Sequence, residues 1–207
     1  MDSAVGLVQT YLRVNGYFTV VEYPVVESRG GFRAATDLDV LAFRFPGAGR
    51  LIPGERGQRG HPPFAADPLL GVPDGHPDML IGEVKEGEAR FNRSGRRAEV
   101  IAAALTRFGC CSAEGAGATA AELLQSGRAS TDHDHRVRLV AFGSVLSGSR
   151  GPYQEIPLGH VLRYLESWVD EHWAVLRHTQ LKDPVLSFLA TLMKAKAGAE
   201  EAPPGDS

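Results

Sequence analysis

Val5, Val8 and Leu12, with Leu7 and Tyr11 beside them, recur at helical spacing until Asn15-Gly16, which predicts an amphipathic helix over residues 3–15. The period then changes. Tyr17 to Val26 is rich in β-branched and aromatic residues and reads as a strand, with Pro24 placing its second half at an edge or a bend. Glu27 to Gly31 reads as a turn, and Thr36 to Phe45 as a second strand that Pro46 ends. Residues 46–77 are crowded with glycine and proline and carry Arg50, Arg56, Arg59, His61 and His76. A stretch of this length between strands is either a mobile insertion in a hairpin or a substrate-contacting flap. Asp78 to Glu86 is the third strand, which Gly87 is expected to break.

Beyond the turn Asn92-Arg93-Ser94-Gly95, the run Ala98, Ile101, Ala102, Leu105, Phe108 predicts a second helix. Ser112 to Gly117 is a linker, and Ala118 to Gln125 a short helix closed by Gly127. Val137 to Val145 alternates and reads as a strand. Leu158, Leu162, Leu165, Val169 and Leu176 form a stripe expected to run through one long helix, and Asp183-Pro184 supplies the cap and first position of another, Val185 to Lys194. The expected organisation is one domain over residues 1–196, with a core at about 3–145, a helical extension at 157–196 and a disordered tail at 197–207.

Two strands carry charge where apolar residues should sit. In Ile81-Gly82-Glu83-Val84-Lys85, Glu83 and Lys85 project to one side, and Asp37 and Asp39 do the same in Asp37-Leu38-Asp39-Val40-Leu41. Charged groups are rare on a core face unless paired or bound to a metal. A salt bridge through Lys85 is one explanation, but two carboxylates against one lysine leave a charge uncompensated, which favours a bound cation. Asp78, although nearer in sequence, lies about 16 Å from Glu83 along one strand and on its opposite face, so those two cannot share an ion.

An aspartate on one strand and Glu83-Val84-Lys85 on its neighbour, within this order of elements, resemble the PD-(D/E)xK nucleases of the restriction-endonuclease-like superfamily. The resemblance implies an α/β fold with a mixed central β-sheet flanked by helices, here extended by C-terminal helices. It also implies an endonuclease, a hydrolase of DNA phosphodiester bonds using Mg²⁺ or Mn²⁺, with RNA left open as a substrate. Asp39, Glu83 and the carbonyl of Val84 would hold the metal, and Lys85 would orient the attacking water and steady the charge on phosphate. Asp37 and Glu22 are candidate auxiliary acids. Arg90, Arg93, Arg96 and Arg97 are candidate nucleic-acid-binding residues, with a solvated face as the other reading. Many members carry a glutamate in the first helix, where this chain has Asp2 and Gln9. That departure keeps an alternative open: a catalytically inactive module of the same fold that binds nucleic acid or a protein partner.

Composition narrows this further. A formal net charge of −3 argues against coating nucleic acid by bulk electrostatics, so any such contact is local. There is no basic-then-apolar start and no apolar run of spanning length, so the expected location is cytoplasmic, with no membrane partner. Adjacent Cys110 and Cys111 predict no disulfide. His133-Asp134-His135 reads as a solvated turn, not a metal site. Trp168 and Trp173 suit a core or a dimer contact, and the C-terminal helices are expected to pack on a second copy or another protein.

Overall fold

Helix α1, Ser3–Val14, opens on Asp2, whose Oδ1 accepts from the Ala4 amide at 2.7 Å and satisfies one of the free donors of the first turn. A computed structural model describes residues 2–27, 33–48, 66–148 and 151–200. The turn at 28–32, residues 49–65 of the long insertion with Arg50, Arg56, Arg59 and His61, and the end of the tail lie outside the described residues. Strands β1, Phe18–Glu27, and β2, Arg33–Arg44, pair antiparallel, and β2 pairs antiparallel with β3, Asp78–Ala89. Helices α2, Ala98–Arg107, and α3, Ala116–Ser126, separate β3 from β5, Arg136–Leu146, which runs parallel to it. Two short strands complete the sheet on the far side of β5: β4, Arg128–Ser130, antiparallel, and β6, Gln154–Pro157, parallel. The protein is thus an α/β fold with a mixed six-stranded sheet in the order β1-β2-β3-β5-β4.

Alternation along the strands builds two cores. Val40, Ala42, Leu80, Val84, Val140 and Phe142 face α1 and three C-terminal helices, α4 (Leu158–Glu171), α5 (Trp173–Leu176) and α6 (Pro184–Glu200). Leu41, Met79, Ile81, Val137, Leu139 and Ala141 face α2 and α3. With helices on both faces, the middle strands β3 and β5 are buried over most of their length. No helix among the described residues is long and apolar enough to cross a membrane.

The structure departs from the sequence reading at four places, one being α6, which runs on to Glu200 into the tail expected to be disordered from 197. Gly87 does not end β3. The strand continues to Ala89 through a bulge, Lys85 opposing Gly143 and Glu88 opposing Val145, so one extra residue is absorbed instead of terminating the ladder. Gly143 makes this possible, because a Cβ there would stand 2.5 Å from the Ala89 nitrogen. The stripe from Leu158 to Leu176 is divided between α4 and α5 at His172, whose ring Nδ1 lies 2.7 Å from the Trp168 carbonyl that its own amide also uses. Strands β4 and β6 are too short and polar to show a period.

The opposite face of β3 carries a different charged group. Asp78 is fully buried and accepts from Arg138 Nε at 2.9 Å, Arg138 Nη2 at 2.7 Å and the Tyr17 hydroxyl at 2.5 Å. Burial and the Asp78 charge push the Tyr17 hydroxyl well above its ordinary range, so it stays a donor. A second buried carboxylate, Asp67, accepts from the Tyr11 hydroxyl at 2.7 Å and lies 2.5 Å from His160 Nε2. Its amide donates to Asn15 Oδ1 at 2.7 Å, which pins the end of the long insertion to α1 and α4.

Candidate active site

Asp39, Glu83 and Lys85 meet where β2 separates from β3. The β2–β3 ladder stops at Val40 opposite Gly82, one step short of Asp39 and Glu83. In place of the next backbone bond, Asp39 Oδ2 accepts from the Val84 amide at 2.8 Å. The β1 side is irregular at the same level. Val21 pairs Val40 and Tyr23 pairs Leu38, while Glu22 between them has φ of 52°, a left-handed conformation that a residue with a Cβ rarely adopts. Asp39 therefore sits at a break in the sheet with its side chain a quarter exposed (24%).

Glu83 is the most enclosed member, 1% exposed. Its Oε1 lies 2.5 Å from Lys85 Nζ and accepts from Asn92 Nδ2 at 2.9 Å. Its Oε2 is buried with no hydrogen-bond partner among the described residues. Lys85 Nζ also lies 3.9 Å from Asp39 Oδ2, so one ammonium faces both carboxylates. Burial, with the nearby Asp39 charge, raises the Glu83 pKa above the usual glutamate range, although the Lys85 and Asn92 hydrogen bonds pull it back in part. An orphaned buried carboxylate oxygen is costly, and such atoms in a native fold mark strain or a partner supplied from outside.

The segment after β3 shapes the surroundings. Asn92 Oδ1 accepts from the Gly95 amide at 2.5 Å, which closes a tight turn and brings Gly95 over Glu83; a Cβ at Gly95 would be 3.4 Å from Glu83 Oε2. Asn92 thus sets the turn and holds the glutamate at once. Its turn role is visible in the Asn-x-x-Gly spacing, but its contact with a strand residue nine positions earlier has no local signal. Beside this turn lies an open pocket of about 540 Å³ lined by Lys85, Glu86, Glu88, Arg90, Asn92 and Arg93 among others.

The remaining sequence candidates disperse. Arg90 and Arg93 line the pocket next to Lys85, whereas Arg96 and Arg97 do not, and Arg97 Nε lies 3.9 Å from Glu99. Arg96 Nε is buried without a partner among the described residues. Asp37 is exposed beside Pro24 in the β1–β2 pair, and Glu22 Oε1 accepts from the Asp2 amide at 3.2 Å at the start of α1. Val84 reaches the cluster through its amide nitrogen. Asp78 belongs to the Arg138 network on the other face, as the spacing requires. His133, Asp134 and His135 form a turn in which the His133 and His135 amides donate to Thr131 Oγ1. Both cysteines are free and buried, and burial pushes the Cys110 thiol up to about 12.

Among the described residues, no group of three or more histidine, cysteine, aspartate or glutamate side chains converges into a metal cage. The two carboxylates still suit a hard divalent cation. Magnesium is commonly held through one or two carboxylates, with waters and substrate phosphate filling its other positions. Glu83 Oε2, unpartnered among the described residues, and the partly exposed Asp39 would be the carboxylate donors for such an ion.

The fold and this cluster define an α/β protein whose mixed sheet carries an Asp, Glu and Lys group at a strand break between flanking helices. No family model matches the chain, and no curated protein or solved structure was found to match it.

Proposed function

We propose that this chain is a metal-dependent nuclease that hydrolyses DNA phosphodiester bonds, with Asp39, Glu83 and Lys85 as its catalytic residues and Mg²⁺ or Mn²⁺ as cofactor. The observation that carries the reading is the Glu83 carboxylate, buried with one oxygen unpartnered among the described residues, beside an aspartate and a lysine at a break in the sheet. Asp39 and Glu83 would hold the ion. When bound, a divalent cation there would polarise a phosphate and make a water nucleophilic near neutral pH.

The protein's own groups divide the rest of the work. Lys85 keeps its ammonium between the two carboxylates at 2.5 and 3.9 Å, where it can donate to a water or to a non-bridging phosphate oxygen as negative charge grows. Asn92 fixes the Glu83 side chain through Oε1 and leaves Oε2 for the ligand. Arg90 and Arg93, on the pocket beside Lys85, meet the phosphates that flank the scissile bond. The pocket gives these contacts locally, which suits a chain of net charge −3.

A second reading has its own observation: among the described residues only two carboxylates converge, and Lys85 already neutralises one of them. A nucleic-acid-binding module of this fold without catalysis follows from that. Cleavage of labelled single- and double-stranded DNA, with magnesium, manganese or chelator, separates the two. The nuclease cuts with metal alone, and Lys85→Ala or Asp39→Ala lowers the rate at least ~100-fold with DNA binding kept, the scale of losing one transition-state donor. Binding without cleavage in the wild type and both variants establishes the module instead.

A further inference from the structure

Helices α1, α4 and α6 leave an apolar groove of about 840 Å³ that the proposed chemistry does not use. Its floor is Leu7, Leu158 and Leu189, and its outer walls are Leu162, Phe188 and Leu192, which are 38%, 63% and 40% exposed. Val185, Phe188, Leu189 and Leu192 repeat at i, i+3, i+4 and i+7 along α6, so the helix has more apolar surface than its seat against α1 and α4 consumes. Contiguous apolar surface with a polar rim marks an interaction site.

The rim chooses the partner. Asp2, Glu86 and Glu166 line the groove and, among the described residues, no lysine or arginine does, although Arg163 approaches one end beside Gly159. A second copy seated on the same face would bring this acidic rim toward its own duplicate, which like-charge repulsion disfavours. A helix with an apolar stripe and basic flanks meets both the floor and the rim. We infer that the groove formed by α1, α4 and α6 is a docking site for a basic amphipathic helix of another protein, anchored on Phe188 and Leu162 and oriented by Glu166 and Glu86. Glu86 and Ser144 follow Lys85 and Gly143 directly, so the docked helix abuts the strand ends that carry the catalytic group. This inference is independent of whether the chain cuts DNA.

The test is fluorescence polarisation of a labelled synthetic helix with leucines at i, i+3, i+4 and i+7 and lysines on both flanks, titrated with the full chain. A matched helix with glutamates in place of the lysines serves as the comparison. The lysine helix is expected to bind one to one and the glutamate helix at least tenfold more weakly. Phe188→Ser, at a position exposed enough not to disturb folding, lowers affinity for the lysine helix at least tenfold. The double variant Glu86→Lys with Glu166→Lys reverses the preference toward the glutamate helix. Equal binding of both helices, or binding indifferent to Phe188→Ser, overturns the docking site. A wild-type dimer in sedimentation equilibrium that Phe188→Ser converts to monomer also overturns it, by making the occupant a second copy.

Discussion

Replacing Glu83 by glutamine removes a charge and almost no volume from a carboxylate that is 1% exposed and lacks a partner on Oε2. The direction of the stability change follows from the raised pKa. The folded state favours the protonated form, so the Glu83 contribution to stability is greatest at low pH and falls as pH climbs from the ordinary glutamate value through the raised one. Above that window the wild type carries a constant penalty. The gain on removing the charge comes from its burial and the nearby Asp39 charge, and is reduced by the Lys85 and Asn92 hydrogen bonds that the charged form makes. Glu83→Gln therefore unfolds at higher temperature than wild type at neutral pH, at the same temperature in acid, and without the slope between. A divalent cation on the wild type acts oppositely to the penalty. At tenfold excess over its dissociation constant it adds about 1.4 kcal/mol, or about 3–6 °C in Tm for a chain of this size. Thermal unfolding followed by circular dichroism across pH, with and without magnesium or manganese, reads all of this. A wild-type Tm that neither ion moves, or one that moves equally in Glu83→Gln, refutes a cation at Glu83.

Three further outcomes concern the frame around the site. Arg138→Met strands the buried Asp78 carboxylate and costs about 3–5 kcal/mol, whereas Arg138→Met combined with Asp78→Leu recovers most of it, as a double-mutant cycle in urea will show. Gly143→Ala forces a methyl into the Ala89 backbone at 2.5 Å and destabilises by about 1–3 kcal/mol, read as a lower urea midpoint at unchanged m-value. Asp67 behaves oppositely to Glu83. Burial works against its charge, but hydrogen bonds from Tyr11 and His160 outweigh it and hold its pKa below the usual aspartate range. Its contribution is present above the ordinary aspartate value and lost as pH falls through the lowered one, so Asp67→Asn is less stable at neutral pH and has a flatter acid limb in pH-dependent unfolding.

The sequence made the long strands and the charged face legible because both obey a period. Alternation placed Glu83 with Lys85 and put Asp78 on the other side, and both assignments agree with the contacts of β3. What it could not carry were contacts between residues far apart in the chain. Nothing near Asp78 announces Arg138, and nothing near Asp67 announces Tyr11 and His160. Gly87 misled because a glycine in a strand is equally a terminator and a bulge, and the deciding factor is Gly143 on the neighbouring strand. Asn92 was visible as a turn residue but not as the holder of Glu83.

β3 binds two unrelated charged systems from its two faces, and this restricts which changes of length the strand can accept. Asp78 is committed to the α1 side and Glu83 to the α2 side, five positions apart. A single residue inserted or deleted between them reverses the orientation of one set against the other. Either a buried arginine then faces an empty wall or the glutamate leaves Asp39. Paired insertions or deletions preserve both, and a single one does so only where a bulge absorbs it as β3 does beyond Lys85, so a homologous chain that keeps both systems on a regular strand should keep an odd spacing between these two acids.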